Sequence, residues 1–360
     1  MLSVLIWFPI LSAVAVALLP NQKSKSIALI LSSLTLGWTV WIATQFDYTN
    51  PSIQYSEYLP WIAELGLDYQ LGIDGLSLPL LALNSLLSWI VIYGSREDVD
   101  RPRLFYSLIL LVNGAVAGAF LAQNLLLFFL FYEVELVPFY LLISIWGGEK
   151  RNYAAIKFLL YTALSGALIL VAFLGLVWLQ GANSFAYKSL MGQSLPQWIQ
   201  LVLLGFLLIG FGIKIPLVPL HTWLPDTYVA ASAPVAILLG GVLAKLGTYG
   251  IFRFGLGLFP EAWGTLAPWL ATWATASVLY GATVAIAQKD IKRMVAYSSI
   301  GHMGYVLLGG AALTALSLVG AVTQMVSHGV ILAILFHLVG VVETKVGTRE
   351  LDVLNGLMNP

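Results

Sequence analysis

Long runs of apolar residues, separated by short polar stretches, repeat along almost the whole chain. A transmembrane helix needs about 20 apolar residues to cross roughly 30 Å of hydrocarbon. About eleven runs meet this length, near 2–19, 26–44, 75–94, 104–122, 124–146, 153–180, 197–219, 234–256, 263–287, 295–316 and 317–342. The pattern predicts an all-α, polytopic bundle of transmembrane helices. The first run lacks a preceding basic residue and a small-residue cleavage site, so we expect a retained anchor rather than a signal peptide.

Basic residues are shared unequally between the two sets of loops that alternating helices create. One set contains only Lys188 and Arg253. The other contains Lys23, Lys25, Arg96, Arg101, Arg103, Lys150, Arg151, Lys289, Lys292, Arg293, Lys345 and Arg349. Such an asymmetry predicts an outer N-terminus and basic loops on the cytoplasmic or stromal side. The long outer segment 45–74 carries acidic residues and no basic ones, in agreement with this orientation.

Composition supports a membrane protein and excludes several kinds of site. Hydrophobic residues make up 59% of the 360 residues and charged residues only 9%, whereas about a quarter of a soluble domain is charged. The absence of cysteine excludes disulfides, cysteine-ligated iron–sulfur clusters and thiolate zinc sites. A net charge of zero implies no basic face for nucleic acid. The sequence contains no P-loop and no dinucleotide-binding fingerprint after a strand.

Two charged residues are predicted to lie near the middle of the membrane. Lys245 is 11 residues beyond Pro234, which places it roughly 16 Å deep by helical rise. Glu133 is nine residues beyond Asn124, roughly 14 Å deep. Charges at this depth face the bundle interior and by default mark ion or proton pathways, although a structural ion pair is the alternative. Glu135 lies about 200° around the helix from Glu133, so we expect only one of these two carboxylates to pair across the core with a given partner.

The run near 197–219 is predicted to break. Its sequence GFGIKIPLVPLHTWLPD places Lys214 two residues before Pro216, and proline removes a backbone donor and clashes with the preceding turn. Broken spans with a buried charge are where transporters build their sites, while a simple kink in a packed helix is the plainer interpretation.

Four histidines lie in or near apolar runs, at positions 221, 302, 328 and 337. Because imidazole titrates near neutrality, His302 and His328 are candidates for a proton relay beyond Lys245. The same two residues could instead ligate a haem from facing positions. A packing role is a third interpretation, favoured for His337.

Four segments resemble the antiporter-like membrane subunits of respiratory complex I. They are FYEVELVPFYLLISIWGG (131–148), GIKIPLVPLHTWLPD (212–226), LLGGVLAKLGTYGIFRFG (238–255) and AYSSIGHMGYV (296–306). The resemblance covers nearly the whole chain. The YEVEL form looks most like the chain 4 type of the cyanobacterial and chloroplast NAD(P)H:plastoquinone oxidoreductases, and LLGGVLAKLGTYG like its carbon dioxide uptake variants.

The resemblance implies a proton-pumping subunit without a cofactor of its own, in a thylakoid membrane. Plastoquinone and iron–sulfur clusters are then expected in other membrane and hydrophilic subunits, which would be its partners. It also implies a role for each matching residue: Glu133 as the pairing glutamate, Lys214 as the broken-helix lysine, Lys245 as the central lysine, and His302 and His328 as the onward relay. Glu135 takes no role in this scheme. The sequence DTYVAASAP departs from the family, which often has His or Glu after the WLPD motif.

The resemblance further implies two inverted five-helix repeats in a family of about fourteen spans. On this basis we divide the chain into N-terminal helices at 1–103, a first repeat at 104–256 and a truncated second repeat at 257–360. A stand-alone cation/proton antiporter of related architecture and a haem-binding redox subunit are the alternative functions.

Overall fold

The computed structural model describes residues 1–18, 20–96, 98–187 and 191–354, so Lys188 lies outside the described residues. Fourteen α-helices and one two-stranded sheet are present in this part of the chain. The helices are α1 (Leu2–Leu18), α2 (Ser24–Gln45), α3 (Ser77–Gly94), α4 (Pro102–Leu121), α5 (Leu125–Val134), α6 (Leu136–Trp146), α7 (Arg151–Leu179), α8 (Gln197–Lys214), α9 (Trp223–Ala230), α10 (Ala233–Leu238), α11 (Ala244–Gly250), α12 (Pro260–Ile286), α13 (Ile291–Ala311) and α14 (Ala315–Val346).

Each predicted apolar run corresponds to one helix or to consecutive helical segments, and the all-α membrane bundle is confirmed. Within the described residues, nine helices are long and apolar enough to cross a membrane. Two of these spans, Leu125–Trp146 and Ala233–Leu256, combine several segments of the list above. The other two of the eleven predicted runs correspond to α1 and α13. Helix α1 is shorter than the nine spans, and α13 carries Lys292 and Arg293 in its first turn.

The helices alternate in direction. Gly94, Gly148, Ala231 and Arg349, which follow or end α3, α6, α9 and α14, line one cavity together with Lys292 at the start of α13. These helix ends therefore meet at one face of the bundle, which we call the basic end because most loop lysines and arginines belong to it.

A β-hairpin covers the opposite face. Strands β1 (Gln54–Ile62) and β2 (Leu67–Ile73) pair antiparallel within the segment that was predicted only to be acidic and extramembrane. Gly66 turns the chain between them with φ +62°, and any Cβ there would lie 2.6 Å from the Asn183 carbonyl, so only glycine fits. Backbone hydrogen bonds from Gln123 to Gln70 (2.8 Å) and from Phe185 to Gly66 (3.1 Å) tie the hairpin to the loops after α4 and α7.

One span forms the centre of the bundle. All residues in the most apolar window of Ala233–Leu256 are buried. In the corresponding window of the peripheral helix α12, only 28% of the residues are buried. It consists of α10, a π-helical turn at Leu239–Leu243, α11 and a second π-helical turn at Ile251–Leu256. Lys245 lies in α11, so the residue predicted to be deepest is also on the most enclosed helix.

The outer end of this central span is fastened to the hairpin side. Arg253 forms an ion pair with Asp74 at 2.6 Å, in the turn between β2 and α3. Burial alone raises the pKa of the Asp74 carboxyl, but the Arg253 guanidinium and the backbone N–H groups of Leu76 and Ser77 lower this pKa below its usual value. The carboxylate therefore stays charged, and its ion pair with Arg253 persists at neutral pH.

Candidate functional site

The predicted break at Lys214 is present. Helix α8 ends at Lys214, and the chain runs through the non-helical segment 215–222 before α9 begins. Pro216 explains the end of the helix, because it cannot donate an intrahelical hydrogen bond. The freed backbone groups find partners inside the protein: the Trp223 indole donates to the Ile213 carbonyl at 2.8 Å. Irregular backbone at membrane depth is tolerated only under such enclosure.

The Lys214 ammonium is paired with Glu135. Its Nζ lies 2.5 Å from Glu135 Oε1, and the two side chains are 1% and 0% exposed. The ammonium also lies over the ring of Tyr132, 4.0 Å from its centroid. The Tyr132 hydroxyl is hydrogen-bonded to Ser165 Oγ of α7 at 2.8 Å, which fixes the ring. Helices α5, α7 and α8 together therefore build a closed cage around one lysine.

Glu135 reaches this cage because the span Leu125–Trp146 bends at it. Helix α5 ends at Val134 and α6 begins at Leu136, so Glu135 is the joint. Pro138 accounts for the joint, since its ring clashes with the carbonyl four residues earlier. This proline was the sequence signal for Glu135, which had been given no role.

The resemblance implies that Glu133 is the pairing glutamate, but in the structure the glutamate paired with Lys214 is Glu135. Glu133 is only partly buried, and within the described residues its Oε1 has no hydrogen-bond partner. It is close enough to Lys214 to interact with its charge, yet the ion-pair contact belongs to Glu135. A helical wheel separates the two glutamates correctly but does not say which of them faces the lysine.

Gly166 of α7 makes room for the Glu133 carboxylate. A Cβ at this position would lie 1.9 Å from Glu133 Oε1. We expect Gly166→Ala to displace this flexible carboxylate without unfolding α7, and to reduce proton translocation severalfold at normal assembly. Proton uptake by sealed vesicles, normalised to assembled complex, measures the effect.

The matched control is Gly205→Ala in α8, where a Cβ would meet nothing within 4 Å. Equal activity of the two variants would show that the position of Glu133 does not matter.

Lys245 lies in a second polar cluster. Its Nζ is fully buried, donates to the Gly240 carbonyl at 2.5 Å and lies 2.8 Å from His328 Nδ1 of α14. The Gly240 carbonyl belongs to the π-helical turn that precedes α11. No carboxylate forms an ion pair with Lys245 in the described part of the chain. Lys245 thus differs from Lys214, whose charge has a fixed counterion.

His328 and His302 are neighbours. Their ring centroids are 5.1 Å apart, and His302 Nδ1 is 2.9 Å from the Gln324 amide nitrogen. His328 is completely buried, and its Nε2 has no hydrogen-bond partner among the described residues. Because the two rings are in direct contact, there is no room for a haem iron between them, and this geometry favours a relay over axial ligation of a haem.

The two clusters lie on opposite faces of the central span. A Cβ on Gly247 would lie 3.1 Å from Lys214 Cβ, so α8 packs against α11 at that residue. Residues two apart on a helix point about 200° away from each other, which directs Lys245 to the other side. Lys214 and Lys245 are both buried as predicted, and they belong to separate clusters.

The other two histidines lie outside both clusters. His221 is in the non-helical segment after Lys214, with its ring 4.9 Å from that of Tyr280. His337 is exposed on α14 and lines the cavity at the basic end. Within the described residues, no group of three or more His, Cys, Asp or Glu side chains is placed to hold a metal ion.

Comparisons with known proteins decide the family. Residues 122–360 match the family model described as NADH:quinone oxidoreductase/Mrp antiporter, TM. The chain is 45% identical over 358 residues to NAD(P)H-quinone oxidoreductase chain 4 1 of Synechococcus sp. (strain JA-2-3B'a(2-13)), a match that covers 99% of this chain and 68% of the relative. The chain belongs to the NADH:quinone oxidoreductase/Mrp antiporter family.

Further relatives distinguish the branches of the NADH:quinone oxidoreductase/Mrp antiporter family. NAD(P)H-quinone oxidoreductase chain 4 2 of Thermosynechococcus vestitus is 42% identical over 99% of this chain and 68% of its own length. A chain of respiratory complex I from Thermus thermophilus superposes with a TM-score of 0.89 at 30% identity, over 99% of this chain and 74% of that one. The Mrp complex of a Dietzia species shares the fold, with a TM-score of 0.85 at 23% identity over 97% of this chain and 38% of that one.

These relations confirm the sequence-based expectation. The chain is an antiporter-like membrane subunit of the complex I type rather than a stand-alone antiporter, and its partners are the other subunits of a multisubunit complex.

Proposed function

We propose that this chain carries protons across the membrane as a non-redox subunit of an NAD(P)H:quinone oxidoreductase, with Lys245 as the group that gains and loses the proton. The observation that carries the proposal is the contact of Lys245 Nζ with His328 Nδ1 at 2.8 Å, in a fully buried place where no described carboxylate serves as a counterion. A buried ammonium with no fixed negative partner is costly, so the proton can leave it at little further cost.

The contact defines one proton transfer. The Lys245 ammonium donates to His328 Nδ1, which becomes part of an imidazolium, and the amine is left neutral. His328 then releases a proton from Nε2, the ring nitrogen that has no protein partner in the described residues. An imidazole can pass a proton in this way because its two nitrogens exchange roles. His302, with its ring in contact, is the next acceptor in the proposal.

The Glu135–Lys214 cage supplies the electrostatic control. While Lys214 is paired with Glu135, the carboxylate compensates the ammonium charge, so Lys214 has little electrostatic effect on Lys245 in the neighbouring cluster. If the pair opens, the uncompensated Lys214 charge disfavours a second ammonium at Lys245 and promotes release of its proton. Glu133 is near the same lysine, and its Oε1 has no hydrogen bond to any described residue, so it is the alternative partner that would receive Lys214 when the pair opens.

The names of the relatives support the finer assignments. By analogy with the cyanobacterial chains, we place this subunit in a thylakoid membrane with its basic end on the cytoplasmic or stromal side. Plastoquinone and iron–sulfur clusters then belong to other subunits, and the carbon dioxide uptake variant remains our proposal for its specialisation. We also retain the division into N-terminal helices 1–103, a first repeat 104–256 and a partial second repeat 257–360.

Purification and reconstitution test the proposal. We expect the tagged chain to co-purify with hydrophilic redox subunits, and sealed vesicles containing this complex to take up protons only while quinone is being reduced. The isolated chain in liposomes should not exchange protons for Na⁺ or K⁺. Cation-dependent proton exchange by the isolated chain, or quinone reduction without proton uptake by intact vesicles, would contradict it.

A further inference from the structure

A cavity of about 750 Å³ opens at the basic end of the bundle, outside both polar clusters. It lies among the ends of α3 and α14 and the start of α10. Part of its wall is apolar, formed by Ile90 and Val91 of α3 and Val341 of α14. The exposed side chains Tyr93 and Leu338 continue this apolar surface along the same two helices. The cavity therefore adjoins an exposed apolar surface of the bundle.

The polar part of the wall is strongly basic. Arg96, Lys292, Lys345 and Arg349 line the cavity, whereas Glu343 is the one carboxylate among the described lining residues. Arg96 is paired with Asp98, and Arg349 with Asp290 and Glu343.

Two of these four cations form no ion pair with any described residue. The buried Lys292 ammonium donates to the Ala231 carbonyl, and it makes no ion pair with any described residue. Lys345 is exposed at the end of α14 and likewise has no ion pair in the described ranges. Ser232 also lines the cavity, and its hydroxyl is buried without a hydrogen-bond partner among the described residues.

We propose that this cavity binds the headgroup of an anionic phospholipid, with the phosphate held by Lys292, Lys345 and the Ser232 hydroxyl. A cavity with uncompensated cations repels protons and attracts anions, so it is poorly suited as a proton path. Basic pockets between transmembrane helices at the cytoplasmic side are typical binding places for anionic lipid headgroups. The apolar wall decides between a lipid and a free anion, because only a lipid has acyl chains to lay along α3 and α14.

The test uses the assembled complex in phosphatidylcholine nanodiscs that carry a minor fraction of photoactivatable phosphatidylglycerol. We expect crosslinks to α3 and α14 next to the cavity, and little labelling by photoactivatable phosphatidylcholine. Lys345→Gln should weaken the labelling about fivefold, since each cation near the membrane surface contributes about this factor. The double variant Lys345→Gln with Arg96→Gln should weaken the labelling further. Electron transfer should remain unchanged, because neither residue belongs to the polar clusters.

The matched control is Lys23→Gln, which removes one exposed charge from the same face of the bundle but does not line the cavity. It should label like the wild type. Equal labelling by the neutral lipid, or labelling unaffected by Lys345→Gln, would overturn the proposal. Displacement of the label by inorganic phosphate would assign the site to a free anion instead. A helix of another subunit filling the cavity in the assembled complex would also exclude the lipid.

Discussion

Lys245→Ala is expected to abolish proton translocation by the assembled complex. The substitution removes the ammonium that contacts His328 Nδ1, and no other amine is hydrogen-bonded to that imidazole in the described chain. An apolar side chain at mid-membrane depth is compatible with insertion, so assembly should survive. Quinone reduction that is coupled to translocation should slow with it. Proton uptake and electron transfer by the mutant complex in sealed vesicles measure both effects.

Lys245→Arg separates charge from proton transfer. The guanidinium keeps the positive charge but does not readily lose a proton, so we expect no rescue. Full translocation by Lys245→Ala at normal assembly would show that Lys245 is a structural residue. Activity of Lys245→Arg close to the wild type would show that charge alone suffices, and the proposed transfer to His328 would then be wrong.

Glu135→Gln is expected to destabilise the complex far more than Glu133→Gln. Glu135 and Lys214 are almost inaccessible to solvent, and removing one partner of a buried ion pair leaves an uncompensated charge at a cost of about 3–5 kcal/mol. Glu133 forms no ion pair with any described residue, so its neutral replacement should change stability little. The amount of assembled complex and its thermal unfolding in detergent distinguish the two variants.

A double variant completes this experiment. Glu135→Gln with Lys214→Met removes both charges and should recover much of the assembly, because apolar or neutral replacement of a whole buried pair is often tolerated. We expect proton translocation to remain lost in it, while Glu133→Gln assembles normally with reduced translocation. Normal assembly of Glu135→Gln alone would contradict the assignment of the ion pair to Glu135.

The sequence predicted well those features that depend on depth in the membrane. Apolar runs located the helices, Pro216 located the break after Lys214, and counting residues from Pro234 placed Lys245 in the buried centre. Hydrocarbon imposes these features directly, since it penalises every polar group at that depth.

Features that depend on helix rotation and on tertiary contacts were not predictable in the same way. The choice of Glu135 over Glu133 follows from a bend at Pro138 and from the rotation of α5 against α8. The hairpin also escaped notice, because its strands expose many side chains and show no clean alternation. The π-helical turn at Leu239–Leu243 has no sequence pattern that we can recognise, yet it supplies the carbonyl that Lys245 contacts.

The central span is anchored asymmetrically, and this gives it the properties of a lever. Its outer end is fastened through Arg253 and Asp74, whereas its other end adjoins the cavity at the basic face. Lys245 stands almost midway between Ala233 and Leu256, so any displacement of the basic end relative to the outer end moves the ammonium by about half as much. The hydrogen bond to His328 is 2.8 Å long and is lost beyond about 3.5 Å. A tilt that shifts the basic end by about 2 Å therefore disconnects the lysine from the histidines, with Asp74 serving as the fulcrum.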